Sequence, residues 1–262
     1  MIMWGGFLGL AGLLAYAVWV EPNWIEVTRH QMTVDVASPI TLAHLTDLHT
    51  VGLGRRERRL LKLLARQAPD AIVITGDTVA TNGQPDQCRA FLSQLRAPLG
   101  VWAVRGNWES RKPTGNDPAF YQSLGIRLLV NESAPLRADL WVAGLDDSIF
   151  GSPDPAAALA GVPPGMTTLA LFHAPDDFPV FAGRCALALA GHAHGGQIGI
   201  PGLRRWWLPH GCRNFIAGWY ERQGSRLYVS RGIGTSVLPV RFGARPELAV
   251  MRLDPRRSSV HA

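Results

Sequence analysis

The sequence predicts an α/β protein built from two packed β-sheets with helices on the outside. Five short blocks rich in Asp, His and Asn each close an apolar run that reads as a buried strand. Strand spacing then changes midway. The first half alternates strand and helix, as parallel βαβ units do, whereas the second half runs through shorter strands with few helices. A length of 262 residues suits one such unit rather than several.

The elements follow in order. Residues Met1 to Val20 contain no charged side chain and are about long enough to span a bilayer as a helix. No Lys or Arg precedes the run, so it reads as a retained anchor rather than a cleaved signal peptide, although Leu14-Ala15-Tyr16-Ala17 resembles a cleavage site. Trp4, Trp19 and Trp24 fall where interfacial aromatics are expected, and Gly5 with Gly9 makes one helix-pairing motif. Arg29 and Arg55 to Arg59 follow the anchor and nothing basic precedes it, which points the remainder towards the cytoplasm. Val27 to Val36 alternates as a strand leading to Ile40. Arg55 to Gln67 reads as a helix carrying the stripe Leu60, Leu61, Leu63 and Leu64, and Asp86 to Leu95 as a second. Strands are predicted at Ile40 to Leu45, Ala71 to Thr75 and Val101 to Val104. Further strands are predicted at Arg127 to Val130, Leu140 to Ala143, Thr168 to Phe172, Ala186 to Ala190, Arg226 to Val229 and Leu248 to Leu253, with a helix at Pro155 to Ala160. The chain thus divides into an anchor (1–22), a linker with an edge strand (23–38), a catalytic domain (39–254) and a tail (255–262).

Hydrophobic residues make up 47% and charged residues 18%, which excludes a disordered chain. The net charge of +6 suits anionic lipid, nucleic acid or a phosphorylated substrate, but no nucleic-acid motif accompanies it. Cys88, Cys185 and Cys212 lack metal-type spacing and read as inert buried thiols.

The chemistry lies in the blocks Asp47-Leu48-His49, Gly76-Asp77, Gly106-Asn107, His173 and Gly191-His192-Ala193-His194. An isolated Asp-x-His is common, but five blocks at five strand ends are not. On an extended segment Asp47 and His49 would point the same way and reach one ion. Asp77 is the natural bridge between two cations, and Asn107 adds a neutral carbonyl oxygen. His192 and His194 repeat the one-residue spacing beside Gly195 and Gly196. Oxygen and imidazole donors suit hard to borderline divalent metals, so the expected reaction is metal-assisted hydrolysis.

These blocks, in this order, resemble the five signatures of the calcineurin-like metallophosphoesterases over about residues 40 to 253. Gly195-Gly196-Gln197-Ile198, the stretch Leu227 to Thr235 and the stretch Arg241 to Glu247 are similar to a bacterial membrane-associated subgroup, the YkuE- and YaeI-type phosphodiesterases. The resemblance implies a four-layer α-β-β-α sandwich of two mixed sheets, here with an N-terminal transmembrane helix. It implies one divalent ion on Asp47, His49, Asp77 and His194 and a second on Asp77, Asn107, His173 and His192. Manganese is the foremost expectation, with iron or zinc as alternatives. Catalysis would centre on Asp77, Asn107 and His192, with a metal-bridging hydroxide attacking phosphorus. The implied setting is a bacterial inner membrane crossed once, with no nucleic-acid partner and the oligomeric state left open.

Two positions depart from the pattern. The family's third signature continues with His, whereas this chain has Trp108, whose indole N–H cannot serve as a proton donor in catalysis. The second signature carries an Asp where this chain has Ala80, which removes a supporting carboxylate. An alkoxide leaves poorly without a general acid, but a phosphate leaving from a pyrophosphate does not need one. Three functions are therefore expected to compete: a phosphodiesterase, a lipid-linked pyrophosphatase of the UDP-diacylglucosamine type, and a metal-binding membrane protein that has lost turnover. Arg204-Arg205-Trp206-Trp207-Leu208 is a further candidate for contact with a lipid surface.

Overall fold

Among the described residues, twelve strands form two six-stranded mixed sheets that face each other. The structure is a computed structural model and describes residues 2–80, 82–111, 118–200 and 208–256. The first sheet is ordered β1-β12-β2-β3-β4-β5 and the second β10-β11-β9-β8-β7-β6. In the first sheet, β2 (Ile40–Leu45), β3 (Ala71–Thr75), β4 (Val101–Val104) and β5 (Ile126–Leu129) run parallel. On their other side β12 (Glu247–Pro255) pairs antiparallel with β2 and parallel with β1 (Glu26–Val34). In the second sheet, β7 (Leu140–Gly144), β8 (Thr167–Leu171), β9 (Leu187–Ala190) and β11 (Ser225–Val229) run parallel. Antiparallel β6 (Glu132–Arg137) and β10 (Gly218–Arg222) close its two edges.

Strand alternation divides the apolar side chains between an inner and two outer layers. Leu42, Val73, Val104, Leu169, Leu171 and Leu189 fill the space between the sheets. Outside the first sheet, Leu60 and Leu64 of α2 (Arg55–Gln67) and Phe91 of α3 (Pro85–Leu92) cover Leu45, Ile72 and Ile74. Outside the second, Ala158 of α6 (Pro155–Ala160) and Phe178 and Phe181 of α7 (Phe178–Phe181) cover Ala170 and Ala188. Helix α4 (Asn107–Arg111) follows β4 directly, and α5 (Pro118–Ser123) precedes β5. The layering is helix, sheet, sheet, helix.

The N-terminal stretch is helical but not one uniform α-helix. Helix α1 covers Ile2–Ala15, a π-helical turn follows over Tyr16–Val20, and a 3-10 turn covers Glu21–Asn23. No helix among the described residues is long and apolar enough to cross a membrane. The base of this stretch is fastened to the domain. The Arg241 N–H donates to the Ala17 carbonyl (3.0 Å), and the buried Glu21 carboxylate accepts from the Ala244 N–H (2.7 Å). Of the basic aromatic loop, residues 204–207 lie outside the described residues.

Candidate metal centre

Every sequence-predicted site residue lies just beyond the C-terminal end of a buried strand. Asp47 and His49 follow β2, Asp77 follows β3 and Asn107 follows β4. His173 follows β8, and His192 and His194 follow β9. The first four come from one sheet and the last three from the other. The carboxylate and imidazole residues form two groups, Asp47-His49-His194 and Asp77-His173-His192. Asp77 Oδ2 lies between the groups, 3.6 Å from His49 Nε2 and 3.4 Å from His173 Nε2. Asn107 Oδ1 is 3.0 Å from His173 Nε2, and His194 Nε2 is 3.4 Å from Asp47 Oδ1.

The backbone here is not what the sequence predicted. Asp47 and His49 do not lie on an extended segment. Their φ angles are +51° and +41°, so each side chain reaches the centre from a left-handed turn. Asp77, His192 and His194 are also left-handed, which makes five of the seven candidate residues. Such conformations are costly outside glycine and persist where surrounding structure enforces them. The enforcing contacts are present. The Asp47 N–H donates to the Gly76 carbonyl and the His49 N–H to the Asp77 carbonyl, at 3.1 and 2.9 Å. The His192 N–H donates to Asp47 Oδ2 at 2.9 Å, which ties the two sheets together. Gly76 has φ +86°, and a Cβ there would collide with Gly106 and with His173 Nδ1.

Supporting partners orient each ring. His173 Nδ1 is 2.7 Å from the Thr75 carbonyl, which only a donor can satisfy, so its Nε2 faces the centre as an acceptor when the ring is neutral. His192 Nε2 makes the same contact with the His210 carbonyl at 2.8 Å, leaving Nδ1 to face inward. Burial holds His192 down at about 3 and pushes His49 and His194 well below the usual imidazole range. Burial also opposes protonation of His173, but the Asp77 carboxylate outweighs it and holds that ring up at about 10. Burial pushes the Asp47 and Asp77 carboxyls upward. A bound cation reverses this balance by favouring carboxylates and neutral imidazoles.

The centre fits divalent cations. Asp47 Oδ1 and His49 Nδ1 are buried without hydrogen-bond partners. His49 Nε2 and His194 Nε2, on near-parallel rings, face each other at 3.2 Å. Neutral nitrogens aimed together beside a carboxylate oxygen are an arrangement that a shared cation resolves.

Residues 40–196 match the calcineurin-like phosphoesterase family. The chain belongs to that family. This phosphoesterase is 30% identical to the uncharacterized metallophosphoesterase YkuE of Bacillus subtilis, over 95% of this chain and 92% of that one. It is 29% identical to the phosphodiesterase YaeI of Escherichia coli, over 91% and 92%. It is 26% identical to the UDP-2,3-diacylglucosamine pyrophosphatase LpxG of Chlamydia trachomatis, over 89% and 90%. It is a metallophosphoesterase, a hydrolase of phosphoester bonds, from a family that uses a dinuclear divalent-metal centre.

Three features of this phosphoesterase escaped the sequence. Glu109 is fully buried, and its carboxylate accepts from the N–H groups of Asp77 (2.8 Å), Thr78 (2.7 Å) and Gly106 (2.8 Å). Burial, reinforced by the Asp77 charge, raises it to about 7. Glu109 fastens the loop that carries Asp77, a carboxylate support where Ala80 supplies none. Arg241 is buried beside His194 Nδ1 (3.4 Å), and its guanidinium donates to the carbonyls of Arg231 and Gly234 (2.8 Å each) and Ala244 (2.8 Å). Arg111 lines the cavity above the centre. That cavity holds about 340 Å³ and is also lined by Asp77, Asn107, Trp108, His192 and Val237.

Proposed function

We propose that this phosphoesterase hydrolyses a phosphate ester or anhydride at a dinuclear centre held by Asp47, His49, Asp77, Asn107, His173, His192 and His194. The observation that carries the reading is the position of Asp77 Oδ2 between the two groups, within 3.6 Å of a histidine from each. Asp47, His49 and His194 would hold one ion, Asn107, His173 and His192 the other, and Asp77 would bridge them. The ions would supply Lewis acidity and lower the pKa of a water between them. Manganese is our first choice, with iron or zinc as alternatives. The chain's own part is to fix the donor atoms. Thr75 and His210 select the imidazole tautomers, Glu109 braces the bridging loop, and the backbone N–H of Trp108 donates to Asp77 Oδ1 at 2.9 Å.

Within this class, Trp108 and the cavity mouth favour a lipid-linked diphosphate over a simple phosphodiester. Trp108 stands where the family has a proton-donating His and offers no such proton, and among the described residues the mouth carries Ile198, Val237 and Leu238. The likeness to LpxG fits this reading. A single-pass anchor in a bacterial inner membrane, with the domain facing the cytoplasm, is the matching location. The uncharged stretch to Val20 and its exposed Leu10, Leu13, Leu14 and Trp19 support it.

The test uses the full chain in detergent with added manganese and measures hydrolysis of a bis-aryl phosphate. Asp77→Ala is expected to lower kcat more than about 100-fold, beyond the 10–100-fold that loss of a supporting partner costs. Metal binding by the unaltered chain without hydrolysis of any phosphate ester or anhydride would reject the reading in favour of a binding protein.

A further inference from the structure

We infer that Arg111 forms a second anion subsite in the catalytic cavity, one that receives the departing phosphate of a diphosphate substrate. The inference rests on the phosphoesterase reading above and adds a substrate determinant to it. Arg111 is the one Lys or Arg among the cavity's described lining residues. It stands on the last turn of α4, four residues beyond Asn107, so the segment that supplies Asn107 also supplies this cation. No carboxylate among the described residues pairs with it, unlike Arg105, which is held by Asp146 just before the same helix. Its guanidinium instead stacks over the Phe150 ring, 4.9 Å from the centroid. Phe150 belongs to the loop after β7 in the opposite sheet, and its N–H donates to Asp147 Oδ2 at 2.8 Å. The cation at the cavity wall is thus braced by an aromatic face rather than by a carboxylate, which leaves its N–H fork available to a phosphate.

The chemistry of the cavity calls for such a cation. Hydrolysis adds water across the P–O–P bridge. The water oxygen bonds one phosphorus, and the bridging bond to the other phosphate breaks with its electron pair. Both water protons pass to solvent as the two monophosphates ionise. Trp108 offers no proton to the departing oxygen, so that oxygen leaves as an anion, and a fixed guanidinium is the group that stabilises it. An alkoxide would gain far less, since it needs a proton rather than a counter-charge.

The test compares methylenediphosphonate with methylphosphonate as ligands of the manganese-loaded full chain, by calorimetry and without turnover. The unaltered protein is expected to bind the diphosphonate at least tenfold more tightly. Arg111→Gln should reduce that preference to less than twofold, and Arg111→Lys should restore part of it. In parallel, the ratio of kcat/KM for a nucleoside-diphosphate-linked lipid to that for a bis-aryl phosphate should fall at least tenfold in Arg111→Gln. An unchanged preference in Arg111→Gln, or no preference in the unaltered protein, would overturn the subsite. Failure of the unaltered protein to hydrolyse any substrate is a separate result and bears on the phosphoesterase reading alone.

Discussion

Trp108 packs its indole against the His49 ring in an edge-type contact, with 4.4 Å between centroids, so it stands at the centre without offering a proton. This gives a sharp expectation. Trp108→His should raise kcat for an alkyl phosphodiester about 100-fold, the usual scale of a well-placed general acid, and leave an aryl diester nearly unchanged because its leaving group already departs readily. Equal responses on the two substrates would show that Trp108 acts by shape alone. At this scale the candidate ligands were legible, because a divalent ion demands oxygen and imidazole donors and the chain displays them in order. Glu109 and Arg111 were not. A Glu or Arg one turn into a short helix is ordinary in sequence, and only the folded loop aims one at three backbone N–H groups and the other into the cavity.

Among the elements, β2, β3, β4, β8 and β9 were readable because buried parallel strands are apolar on both faces. The two edge strands of the second sheet were not. Pro135 interrupts β6, and β10 mixes Trp219 and Tyr220 with Glu221 and Arg222, a pattern tolerated where one side of a strand is unpaired. The left-handed turns at Asp47 and His49 were invisible for another reason: Asp and His only tolerate such a turn better than most residues, and the tertiary hydrogen bonds impose it. The segment between β11 and β12 depends on one side chain in the same way. Arg241 fastens it from within, and burial lowers that guanidinium to about 9. Arg241→Met would leave several buried carbonyls unpaired, at a cost of at least about 3 kcal/mol. Thermal unfolding of the full chain in detergent should then occur roughly 6–12 °C lower, and an unchanged midpoint would contradict this account of the segment.

For the molecule as a whole, the two sheets are joined at this end by Asp47 and His192, and by imidazoles from one sheet facing carboxylates from the other. Cations held there would be bound only by the folded chain. Each ion at 100 times its dissociation constant would contribute about 2.7 kcal/mol to stability. Chelation is therefore expected to lower the unfolding midpoint, and added manganese to restore it, in scanning calorimetry; a midpoint indifferent to both would argue against sheet-bridging ions. The attachment of Ala17 and Glu21 to the Arg241 segment has a consequence of a different kind. A catalytic head on a loose tether can sweep a surface and sample it at many heights. This head is fastened to the root of its own helix, so a membrane that held that helix would also fix the elevation of the cavity mouth. Reach would then become a selective property, exercised before any chemistry begins.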